Sequence, residues 1–108
     1  MTSNAVTRIF ECRAPLAGQD PDTLIASLQA QMAKVMHLHP QLRGAALQAS
    51  EGFLVMTLRV VSRDRSNVSQ KARLIATRLL QRAKLDVASA TLTLVGIPSD
   101  GRAAKAAS

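Results

Sequence analysis

The chain has 108 residues, 47% of them hydrophobic, and a formal net charge of +7 from 14 Lys plus Arg against 7 Asp plus Glu. That length suits one domain and is short for two, and its hydrophobic share can build a core without a metal or disulfide staple. The single cysteine, Cys12, excludes the disulfide scaffolds of small secreted domains. The start Met1-Thr2-Ser3-Asn4 lacks a signal peptide's basic region and apolar run. No apolar stretch has the length of a bilayer span, so a cytoplasmic protein with no membrane partner is expected.

Residues 5–14 read as a first strand, since the β-formers Val6, Thr7, Ile9 and Phe10 gather there. Its facing stays open, because Arg8 shares a side with Val6, Phe10 and Cys12. Pro15 and Gly18 stop it. A helix start follows, with Asp20 as N-cap, Pro21 in the first helical position and Asp22 on the positive end of the dipole. Leu24, Ile25, Leu28, Met32, Val35 and Met36 then share one helical face, and the helix ends before Pro40.

Residues 43–50 read as a weaker strand, Glu51-Gly52 as a tight turn, and 53–62 as the strongest strand. Leu54, Met56, Leu58 and Val60 lie on one face of that strand. A second helix is expected from Ser66 or Asn67 to about Leu85, with a capping-box spacing from Asn67 to Gln70. Its buried stripe is Val68, Ala72, Ile75, Ala76, Leu79 and Ala83; Leu74 and Leu85 fall outside it, on one exposed side. A last strand spans 88–97, with Ala90, Leu92 and Leu94 pointing one way.

Strand, helix, strand, strand, helix, strand is the split β-α-β, ferredoxin-like order. Right-handed crossovers predict a four-stranded antiparallel sheet ordered 4-1-3-2 with both helices on one face. The expected architecture is thus a two-layer α+β sandwich over residues 1–98, with 99–108 a disordered basic tail. That fold hosts many functions, and no family motif emerges from the residues.

The arrangement leaves one face of the sheet open. Its expected residues are Phe53, Val55, Thr57, Arg59, Val61, Thr91, Thr93, Val95 and Ile97. A contiguous apolar patch of that kind marks an interaction surface, and a homodimer is its simplest use. Glu11 of the first strand and Arg59 would pair across strands on this face.

Little else points to chemistry. Cys12 has only His37 and His39 as candidate bases, and those two, one residue apart, do not share a helix face. No recognised metal-ligand spacing, nucleophile–base set or phosphate loop occurs, so no catalytic residue, metal or cofactor is expected. The first reading is therefore a non-enzymatic interaction module that self-associates through its open sheet face. A second is a nucleic-acid or acidic-protein binder, using Arg63, Arg65, Lys71, Arg78 and Arg82 on the second helix and the loop before it, against phosphates. A third is a small enzyme of the dimeric α+β barrel type, disfavoured by the paucity of His, Tyr, Trp and acidic residues.

Overall fold

The computed structural model describes residues 5–63 and 67–97. Its elements are β1 (Val6–Pro15), α1 (Pro21–Leu38), β2 (Leu42–Ser50), β3 (Phe53–Ser62), α2 (Val68–Arg82) and β4 (Thr91–Gly96), with a 3-10 turn at Val87–Ser89. The strands form one antiparallel sheet in the order β2-β3-β1-β4. The chain is a two-layer α+β sandwich of ferredoxin-like topology. The expected tail 99–108 lies outside the described residues.

Helix α1 starts as its local chemistry dictates. The Asp20 carboxylate accepts from the Thr23 backbone N–H at 2.9 Å and from the Thr23 hydroxyl at 2.7 Å. This satisfies one of the donors that a helix start leaves unpaired. At the other end His39 N–H donates to the Val35 carbonyl at 2.9 Å, and Pro40 prevents a further turn. Leu24, Leu28 and Val35 go fully into the core, with Ile25, Met32 and Met36 packed against it.

The core lies between the helices and the even-numbered residues of β1 and β3. Phe10, Cys12 and Ala14 meet Leu54, Met56, Leu58 and Val60, all buried, under Ala72, Ile75, Ala76 and Leu79 of α2. The register Phe10↔Leu58, Cys12↔Met56 and Ala14↔Leu54 settles the facing of the first strand. Arg8, on the same side, sits half-buried near the start of β1, and its Nη1 donates to the Thr7 carbonyl at 2.9 Å. The β2–β3 hairpin turns at Glu51 and Gly52, both with positive φ, 54° and 82°. This conformation suits glycine at the second position.

Three local expectations need correction. The Asn67 side chain makes no cap hydrogen bond to α2, and its backbone is already helical at φ −98° and ψ −8°, so the capping box does not form. Helix α2 ends at Arg82, short of Leu85, because Lys84 turns left-handed at φ 60°. Leu85 N–H then donates back to the Leu80 carbonyl at 3.0 Å, a helix-closing pattern that swings the Leu85 side chain into the core. Leu85 is buried while Leu74 is exposed, so the two do not form an exposed pair. Third, the last strand starts at Thr91, not 88, because Asp86 folds the preceding residues into the 3-10 turn. Its carboxylate accepts from Ala88 N–H at 3.0 Å and from the Ser89 hydroxyl at 2.7 Å.

Candidate functional site: the helix-free face of the sheet

The odd residues of β1 and β3 share the face away from the helices. Register pairs Thr7 with Val61, Ile9 with Arg59, Glu11 with Thr57 and Arg13 with Val55. On the flanks, Gly44, Ala46 and Gln48 of β2 pair with Arg59, Thr57 and Val55, and Thr93 and Thr91 of β4 pair with Glu11 and Arg13. This brings Phe53, Val55, Thr57, Arg59, Val61, Thr91 and Thr93 together on one surface, as the alternation implies.

The end of β4 departs from that alternation. Leu94 pairs with Phe10, but Gly96 pairs with Ile9, so one extra residue enters β4 between them. A Cβ built on Gly96 would lie 3.5 Å from the Ile9 Cβ, which places Gly96 on the open face. Val95 is the bulged residue, 52% exposed, and Ile97 lies beyond the strand, 60% exposed. A bulge shifts the side-chain alternation by one. Ile97 therefore does not continue the row of Thr91 and Thr93.

The face is also less bare than its composition implies. Val55 is only 2% exposed although no helix covers it. Its register neighbours are Arg13 and Gln48, and the Arg13 guanidinium stacks over the Phe53 ring at 5.2 Å from the centroid. Long side chains commonly cover apolar surface while keeping their charge in water. Phe53, Thr57 and Val61 are half-buried, and Arg59 is exposed. Of the exposed apolar residues of β4, Leu94, 47% exposed, shares the helix side with its register partner Phe10, and Val95 lies at the bulge with Ile97 just beyond the strand.

Glu11 and Arg59 share the face but are diagonal, Glu11 opposite Thr57 and Arg59 opposite Ile9. Among the described residues Glu11 forms no ion pair or side-chain hydrogen bond. The expected cross-strand pair between them is thus not formed within the chain. Next to them a shallow hollow of about 290 Å³ lies over Gly44 and Ala46, walled by Ile9, Thr57 and Arg59. Neither the Gly44–Ala46 hollow nor the placing of Ile9 and Arg13 was readable from the sequence. The signal lies in the pairing of β1 with β3, which a single strand's pattern does not carry.

The basic residues are spread over several elements. Arg63, exposed at the end of β3, lines a hollow of about 520 Å³ together with Gln41 and Arg43. Lys71, Arg78 and Arg82 ride on α2, Lys71 half-buried and Arg78 exposed. Arg82 reaches α1, where its Nη1 donates to the Gln31 Oε1 at 3.0 Å. Arg65 lies outside the described residues.

Cys12 is buried in the core, and burial pushes its thiol up to about 11. A thiol so held is a packing group, since the thiolate is the nucleophile. His37 is exposed and His39 half-buried at the end of α1. Among the described residues no three His, Cys, Asp or Glu side chains gather as a metal site would require. No helix among them is long and apolar enough to cross a membrane.

No protein-family model matches the chain. No curated protein matches it either. Among solved structures it is similar to the de novo designed protein Foldit4, at 9% identity and a TM-score of 0.42, over 87% of this chain and 99% of that one.

Proposed function

We propose that this chain is a non-enzymatic binding module that pairs with a second copy of itself through the helix-free face of its sheet. The observation that supports this reading is the helix-free face itself, with Ile9 and Val61 half-buried on its two central strands and Val95 and Ile97 exposed at the end of β4. Strands about 4.8 Å apart and up to ten residues long at about 3.3 Å per residue give four strands a projected area of roughly 600 Å². A standard interface takes about 800 Å² of corrugated surface from each partner, so the face is of the right order. Edge-to-edge addition at β4 is disfavoured because that strand is short and bulged.

The charges on the face suit a two-fold partner. Glu11 lies between Arg13 and Arg59 in register yet is unpaired among the described residues. A second copy supplies the opposite charge, which fixes register more than it adds affinity. Light scattering on the wild type and on Thr57→Arg tests the reading. Self-association in the first and its loss in the second, with helix content unchanged, are expected. Equal behaviour of the two proteins contradicts it.

A second reading, phosphate contact by the basic residues, is favoured by one observation: Arg43 and Arg63 line a single hollow in a chain of net charge +7. Binding of short single- and double-stranded DNA at low and moderate salt tests it. The phosphate term is largest at low salt, so no binding there removes this reading.

A further inference from the structure

We infer that the two copies pair about a two-fold axis running parallel to the strands, so that β2 of each copy crosses β4 of the other. This rests on the pairing proposed above and adds its geometry. The sheet order β2-β3-β1-β4 puts its midline between β3 and β1. An axis along that midline lays β3 of one copy over β1 of the other, and β2 over β4, each register row facing itself reversed. Face-to-face sheets keep their strands within about 30° of one another, about 10 Å apart, so the rows stay matched near the centre.

Shape supports this choice. At Gly44 and Ala46 the open side of β2 is small, and these two residues floor the hollow of about 290 Å³. The matching rows of β4 carry Thr93, in the row of Ala46, and Gly96, in the row of Gly44. Crossing β2 with β4 sets Thr93 of each copy over Ala46 in the hollow of the other, and the two-fold symmetry repeats the contact. An axis perpendicular to the strands stacks β2 on β2, setting hollow against hollow. A void of that kind loses dispersion contacts on both walls.

Charge supports it too. In the strand-parallel arrangement Glu11 of one copy lies over Thr57 of the other, one row from its Arg59. The diagonal pair that does not form within the chain then forms twice between chains. The same geometry lays the Arg13 stem of each copy over Val55 of the other, so a residue already sheltered in the single chain becomes central to the pair.

Two exposed positions read out the axis, Ala46 on β2 and Thr93 on β4. They sit on opposite outer strands of the sheet, with β3 and β1 between them, so a short cross-linker does not join them within one chain. Single variants Ala46→Cys and Thr93→Cys are purified, then treated with a short bismaleimide alone and after co-refolding as a mixture. Wild type, whose Cys12 is buried, is the control. The expected result is a band of twice the chain mass in the mixture and none for either variant alone. A cross-link in Ala46→Cys alone places the axis across the strands and overturns this inference while leaving self-association standing. A wild type that sediments as a pair, with no cross-link in the mixture, overturns it as well. A monomeric wild type overturns the proposed function itself.

Discussion

Arg13 of β1 holds its guanidinium 5.2 Å from the centroid of the Phe53 ring on β3, on the side of the sheet away from both helices. The contact is diagonal, since the register partner of Phe53 is Pro15 and that of Arg13 is Val55. It explains how an apolar residue on an uncovered sheet face comes to be buried. Removing the cation and its stem is expected to cost the single chain about 0.5–1 kcal/mol, the range for such contacts at partly exposed sites. Urea unfolding of Arg13→Ala checks this. The midpoint falls while the m-value holds, as when stability changes without a change in compactness.

The end of α2 offers an opposed pair of variants. Lys84 takes a left-handed conformation at φ 60°, which glycine adopts without penalty. Lys84→Gly is expected to raise stability by up to about 1 kcal/mol, the relief of strain being partly offset by glycine's freer unfolded state. Leu85→Ala, next in the chain, empties a core position and is expected to cost about 2–5 kcal/mol. Chemical denaturation of both tests whether the turn at Lys84 carries Leu85 inward. Near-neutral stability of Leu85→Ala would place that side chain outside the core.

Cys12 makes the chain's core titratable. Its thiol rises from an ordinary 9.0 to about 11 because burial disfavours the thiolate. The folded chain therefore holds this proton more tightly than the unfolded one. The associated stability is whole below about pH 9 and is lost as pH rises through about 11. An aromatic disulfide reagent near neutral pH is expected to leave the folded protein unmodified and to react once denaturant is added. Rapid labelling of the folded protein would contradict the burial.

The Asp20 cap acts at the other end of the pH scale. Hydrogen bonds from the Thr23 hydroxyl, and then from the Thr23 N–H, lower its carboxyl below the ordinary 3.8. Its contribution is present above that value and fades as pH falls through the lowered one. Wild type is expected to be more stable than Asp20→Ala near neutral pH, with the difference shrinking in acid. Thermal melts followed by far-ultraviolet circular dichroism at several pH values measure it.

Local chemistry is legible in this sequence, and long-range pairing much less so. Asp20, Pro21 and Asp22 announce α1 because cap, first turn and dipole act within a few residues. The alternation from Phe53 to Val61 announces the facing of β3 because one face is fully buried. Leu85 misleads because its burial depends on the backbone of Lys84, which periodicity does not report. Ile97 misleads because the bulge at Val95 follows from pairing with β1, not from β4 alone. The same holds for the candidate site. Phe53, Val55 and Thr57 are visible as a row, whereas the Arg13 cover and the Gly44–Ala46 hollow exist only once β1 and β2 flank β3.

Self-association through the open face is the claim on which the functional account turns. Sedimentation velocity of the unmodified protein at micromolar concentration tests it without mutation or cross-linking. The account predicts a species of twice the 11.5 kDa chain mass that dissociates on dilution. A single species of 11.5 kDa across the concentration range contradicts it.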